Sequence, residues 1–261
     1  MRKLGLNADC IVGGSNYDNI IKLKEIGFDC CFVNAVREGV SKYKDISDSV
    51  GIDLEFLHAP FKGINTMWEE GDGYTAIFNQ MMLTVDSAAK YCIPTVVVHL
   101  SSGWTPPAMS EIGFNRFDRL VSHAADQNVN IAFENLRNIE NVLAIKERYS
   151  DKPNVGFCYD AGHEHCYTEN FDWIEVFGDK LLCTHIHDNT GYDGVGDNDT
   201  HFLPFDGNID YADMMRRLDK VGYKGSLMLE VFNNKKPEYA QMTDDEFMKL
   251  CFEKIKKISE M

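Results

Sequence analysis

The stretch Leu181-Leu182-Cys183-Thr184-His185-Ile186-His187-Asp188-Asn189 decides the fold. An apolar, strand-like run breaks into two histidines and an acid, and a loop rich in Gly and Asp follows over residues 190–201. The same grammar recurs in Phe56-Leu57-His58, Val97-Val98-His99, Ala132-Phe133-Glu134, Cys158-Tyr159-Asp160 and Leu229-Glu230. A buried run that ends in His, Asp or Glu places ligand-type side chains at the C-terminal end of a strand.

Working outward, strands are expected at 3–8, 30–34, 54–58, 95–100, 130–134, 155–160, 181–187 and 226–232. Helical stripes lie between them, as in Phe114, Phe117, Leu120, Val121 and Ala124, or Phe247, Leu250, Cys251, Ile255 and Ile258. Gly27, Gly51 and Gly222 each follow a helical stretch in a similar context, where a left-handed residue ends a helix before the next strand. Strands alternating with helices form a parallel sheet, and eight such units in one α/β domain over residues 1–261 favour a closed (β/α)8 barrel. Val12-Gly13-Gly14-Ser15 lacks the G-x-G-x-x-G pattern of a dinucleotide site. Its glycines are expected to shape a turn, with Ser15 or Asn16 capping the first helix.

A formal net charge of -15 repels polyphosphates and disfavours nucleic acid as a partner. The eight cysteines lack C-x-x-C spacing, and several sit in apolar runs, as expected of a reducing, cytoplasmic environment. No stretch approaches the ~20 apolar residues of a membrane span, and the first residues carry no long apolar segment. A soluble, unexported protein is the expectation.

In such a barrel the strand ends converge on one pocket. Strands 3 to 8 deliver His58, His99, Glu134, Asp160, His185 and Glu230, while His163, Asp199 and His201 lie in adjoining loops. Carboxylates and imidazoles packed this densely are costly without a cation. Oxygen and nitrogen donors, with no cysteine at a strand end, suit Mn, Co, Mg or Zn. Glu134, Asp160, His185 and Glu230 are the expected ligands of one divalent ion. His187 is expected to face away from the pocket, toward the helices. His123 and His165 are expected to be structural or exposed. Trp68 and Trp104 fall in loops where an aromatic either lines a sugar pocket or packs the loop.

Five segments, Phe133-Glu134-Asn135, Tyr159-Asp160-Ala161-Gly162-His163, His185-Ile186-His187-Asp188-Asn189, His201-Phe202-Leu203-Pro204-Phe205-Asp206-Gly207-Asn208-Ile209-Asp210-Tyr211 and Leu229-Glu230-Val231, occur in an order that resembles the xylose-isomerase-like TIM barrels. That family includes sugar phosphate isomerases and epimerases, ketose 3-epimerases and endonuclease IV. The resemblance implies a metal-dependent sugar isomerase or epimerase, with His185 rather than His187 as the ligand. Glu134 and Glu230 would move a proton next to a carbonyl through an enediolate stabilised by the ion. His163 would hold or protonate a substrate oxygen, and Asp188 would orient His185 or His187.

Two further activities of the family fit the same residues. One is an endonuclease IV-like phosphodiesterase with more than one Zn, which would also use His58, His99, Asp199 and His201. The other is a dehydratase of a polyol ketone. Ketose 3-epimerases of the family carry Gly-Glu and then Arg soon after the metal histidine, whereas this chain runs on to Thr190-Gly191. Arg37, Lys62, Arg137, Lys235 and Lys236 do not cluster as a phosphate clamp, so a free sugar or polyol ketone is the expected small-molecule substrate. Aromatic loops are compatible with a homo-oligomer.

Overall fold

A computed structural model describes residues 2–35, 39–192 and 198–261; Arg37 lies outside these residues. Eight parallel strands run β1 (Leu4–Asn7), β2 (Cys30–Asn34), β3 (Asp53–His58), β4 (Thr95–Val98), β5 (Asn130–Glu134), β6 (Val155–Asp160), β7 (Leu181–His185) and β8 (Leu227–Leu229). Each pairs with its sequence neighbour, and β8 returns to β1. β7 and β8 meet through a parallel bridge between Ile186 and Leu229. There the Thr184 hydroxyl stands in for a ladder group, donating to Ser226 O at 3.1 Å and accepting from Met228 N at 3.1 Å. The result is a (β/α)8 barrel.

Helices α1 (Asn16–Ile26), α2 (Val40–Val50), α3 (Thr75–Lys90), α4 (Glu111–Asp126), α5 (Ile139–Arg148), α6 (Ala161–Tyr167), α7 (Trp173–Phe177), α8 (Tyr211–Lys220), α9 (Pro237–Ala240) and α10 (Asp244–Ser259) lie in the connections or follow β8. Local chemistry sets their ends. Ser15 caps α1 by accepting from Asp18 N, and Gly27, Gly51 and Gly222 all take positive φ after their helices. Among the described residues no helix is long and apolar enough to cross a membrane.

Two apolar layers result. The outer one, between strands and helices, holds the expected stripes, including Phe117, Leu120 and Val121 of α4 and Phe247, Cys251 and Ile255 of α10. The inner one is small: Cys30, Phe32, Phe56, Val97, Ala132, Cys158, Cys183 and Met228 fill the barrel. Gly5 is needed there, because a Cβ would come within 2.5 Å of the Met228 thioether. Seven of the eight cysteines are buried, three of them inside the barrel as small hydrophobes.

The loops after β3 and β4 are fastened to each other. The Arg116 guanidinium, largely buried, donates to the carbonyls of Thr66, Met67, Glu69 and Gly71. Trp68 is buried and donates from its indole to Leu100 O at 2.7 Å, which settles its role as loop packing. Trp104, by contrast, is 47% exposed.

Candidate metal centre

Each of β3, β5, β6 and β7 ends on a chemistry-bearing residue: His58, Glu134, Asp160 and His185. His99 and Glu230 follow β4 and β8 by one residue. Barrel closure brings all six to the same mouth. His185 Nδ1 lies 2.9 Å from Glu134, 3.5 Å from Glu230 and 3.8 Å from Asp160. One ligand atom from each of these four residues falls within 4.8 Å of the others. The floor beneath is apolar, since the Phe32 and Phe56 rings lie 5.0 and 5.6 Å from the His185 ring.

Two features fit a cation. First, Glu134 Oε2 and Asp160 Oδ2 are buried and lack an aligned hydrogen-bond donor. Buried acceptors left this way are costly unless an ion or water satisfies them. Second, backbone carbonyls set the histidine tautomers. Nδ1 donates to a carbonyl in His58 (Ala59 O, 2.8 Å), His163 (Asn135 O, 3.0 Å) and His201 (Glu230 O, 2.8 Å). In its deprotonated form each ring offers the Nε2 lone pair to the pocket, the arrangement that orients metal-binding imidazoles.

Further ligand groups surround the first four. His58 and His99 approach Glu134 Oε2 at 3.5 and 2.7 Å, and these three residues form a group of their own. In loop 7, the connection from β7 to α8, Asp199 lies 3.4 Å from His163 and 3.3 Å from His201. His201 holds this position at φ +49°, a costly conformation for a residue with a Cβ.

Some expectations change. His187 points into the pocket, with Nε2 3.2 Å from Asp160 Oδ1, and does not face the helices. Residues two apart on a strand share a face, so His187 follows His185 inward. Asp188 orients neither histidine. Its carboxylate accepts from the backbone N–H groups of Asn189, Phe205 and Ile209, and so shapes loop 7. His123 pairs with Asp86, and His165 with Asn208, both away from the strand ends.

Asn135 and Asn7 were not singled out from the sequence as site residues. Asn135 locks Asp160 through both amide atoms, donating to its carbonyl at 2.9 Å and accepting from its N–H at 2.7 Å. Asn7 accepts from Val231 N at 3.0 Å and anchors the residue after Glu230. Asn7 ends β1 as the acids end theirs, which is the signal that could have revealed it.

Charge is balanced within the cluster. Burial opposes ionisation of Glu134, yet His185 and His99 hold it well below the usual carboxylate range. Burial would also lower His185 and His201. The surrounding carboxylates outweigh it: Glu230 and Glu134 lift His185 to about 10, and Asp199 lifts His201 to about 9. At His99 burial wins and lowers the pKa.

The raised imidazoles stabilise the metal-free fold fully below their unfolded value of ~6.5, and that contribution is lost as pH climbs through their folded values. Metal-free protein is therefore expected to lose thermal stability steadily from about pH 6.5 toward pH 10. Saturating divalent ion should flatten the profile, because ligands bind deprotonated. Melting curves with and without chelator check this; a flat metal-free profile would mean that the imidazoles are neutral.

Residues 20–251 match the sequence model of the family described as "Xylose isomerase-like TIM barrel". An uncharacterized protein of Methanocaldococcus jannaschii is 27% identical over 97% of this chain and 92% of its own length. An uncharacterized protein of Sinorhizobium fredii is 32% identical over 62% of this chain; the match spans about half, 54%, of that protein. Among solved structures, D-psicose 3-epimerase from Clostridium cellulolyticum H10 superposes with TM-score 0.77 at 15% identity, covering 99% of this chain and 98% of that one. A D-tagatose 3-epimerase-like protein gives 0.74 at 21% identity with the same coverage. The 3-keto-D-glucoside 4-epimerase of E. coli gives 0.75 at 15% identity over the full length of both. At these identities the structural likeness is one of fold.

Proposed function

The chain belongs to the xylose isomerase-like TIM barrel family, and from that premise we propose that it is a divalent-metal-dependent sugar isomerase or epimerase. The observation that carries the proposal is the convergence of Glu134, Asp160, His185 and Glu230, with buried carboxylate oxygens lacking aligned donors. These four residues would hold one ion of Mn, Co, Mg or Zn. Bound there, the ion supplies Lewis acidity toward a substrate carbonyl.

The protein's own groups do the rest. One of Glu134 and Glu230 takes the proton from the carbon beside the carbonyl, and the other returns it, at the opposite face in an epimerase or at the neighbouring carbon in an isomerase. Glu230 is the more open of the two, its side chain 13% exposed against 1% for Glu134. His163, held at Nδ1 by a carbonyl, presents Nε2 to a substrate oxygen. Phe61, 44% exposed and stacked on His99 at 4.3 Å, and Trp104, edge-on to Tyr167, offer ring faces suited to a sugar. Lys236 is occupied with Asp206 O, which favours a free sugar or polyol ketone over a phosphate.

A second reading, a multi-zinc phosphodiesterase, draws on the further group at His58, His99 and Glu134 and on the approach of Asp199 to His163 and His201. The net charge of -15 counts against a nucleic-acid substrate. Metal content separates the two. The isomerase reading expects about one ion per chain, lost in Glu230→Gln and kept in His201→Ala, with ketoses taking up solvent deuterium beside the carbonyl. Two or three zinc ions, reduced by His201→Ala, together with cleavage of an abasic-site duplex, would establish the phosphodiesterase instead.

A further inference from the structure

The two oxygens of Asp160 have different surroundings. Oδ1 accepts the His163 N–H at 2.6 Å, the bond that caps α6, and lies 3.2 Å from His187 Nε2. Oδ2 has no aligned donor and lies 3.8 Å from His185 Nδ1. The His187 imidazole is fully buried, and neither of its nitrogens has an aligned partner. A buried ring of this kind calls for a role, because unsatisfied polar groups are rare in native interiors.

Packing rather than hydrogen bonding seats the ring. It lies parallel to His201 with centroids 3.9 Å apart and edge-on to His163 at 5.9 Å. Its Nε2 also lies 3.5 Å from Asp199 Oδ1, and the ring abuts the backbone of α6 at Gly162, where a Cβ would come within 1.8 Å of His187 Cε1. Gly162 has no positive φ, and alanine is the better helix former at such a position. The glycine is therefore required by the close approach of the imidazole.

We propose that His187 is a positioning residue for Asp160, its Nε2 set 3.2 Å from Oδ1 so that Oδ2 is the oxygen presented to the cation, with Gly162 as the space that seats it. A carboxylate turns readily about its terminal torsion. The His163 N–H holds Oδ1 from one side, and His187 Nε2 beside the same oxygen adds a second restraint that leaves Oδ2 as the free one. Partners of this sort strengthen metal binding by roughly 10–100-fold. The proposal rests on the metal reading of Asp160 given above.

The test uses the full chain, stripped of metal and titrated with Co2+ and Mn2+ against a chelator of known affinity. His187→Ala and Gly162→Ala should each weaken Co2+ binding by about 10–100-fold with the number of ions per chain unchanged. His187→Gln, whose amide N–H reaches the same place, should recover most of the loss and keep the visible spectrum of the Co2+ form. Gly162→Ala retains the imidazole and, with His187→Gln, carries the test should His187→Ala fail to fold. Wild-type affinity in both His187→Ala and Gly162→Ala would overturn the proposal. So would loss of a whole ion in both His187→Ala and His187→Gln, which would make the imidazole itself a ligand. A wild-type protein that takes up no ion would overturn the metal reading first, a result distinguishable because it needs no variant.

Discussion

Glu134→Gln is expected to lower proton exchange between substrate and solvent by about 10²–10⁴-fold, the span of one general base, and to release the ion as well. Glu134 is the hub of the cluster. Its carboxylate lies 2.7 Å from His99, 2.9 Å from His185 and 3.5 Å from both His58 and His163. Glutamine keeps the volume and removes the charge, so the core packing survives while the compensation of four imidazoles does not. Deuterium uptake at the carbon beside a ketose carbonyl, followed by NMR, reads the first effect, and elemental analysis of the purified protein reads the second. Wild-type exchange in the variant would remove Glu134 from the chemistry and leave it a structural counter-charge.

Saturation with the preferred divalent ion should raise the unfolding temperature by about 5–10 °C once the free ion exceeds its dissociation constant ~100-fold. The reason lies in what the metal-free pocket must tolerate. His58, His99, His163, His185, His187 and His201 share one mouth with Glu134, Asp160, Asp199 and Glu230, most of them buried. The carboxylates around them raise His163, His185 and His201, so that protons partly stand in for the cation. An ion replaces those protons with a fixed charge that exists only in the folded state. Calorimetry with Mn2+, Co2+, Mg2+ and Zn2+ in turn, reversed by chelator, checks the expectation. The absence of a shift with all four would sink the metal centre.

The sequence by itself determined the barrel and the residues at its mouth. Apolar runs closed by His58, Glu134, Asp160 and His185 are local patterns, and each of these residues is the last of its strand. The glycine stops at Gly27, Gly51 and Gly222 are equally local, because only the backbone angle at one residue is at stake. Strand ends were less legible where tertiary contacts take over: β7 stops at His185 rather than 187, and β8 at Leu229 rather than 232, because the barrel seam is stitched by Thr184 and single bridges.

Only the tertiary structure decided how the mouth residues face one another. The seat of the His187 ring depends on the space at Gly162, and the tautomers of His58, His163 and His201 depend on which carbonyl each Nδ1 meets. The duty of Asp188 depends on loop 7 folding back onto its carboxylate. These are distances between residues far apart in the chain, set by barrel curvature and loop path. A periodic pattern names the residues that reach the pocket, but the packing of the closed barrel fixes which atoms they present there.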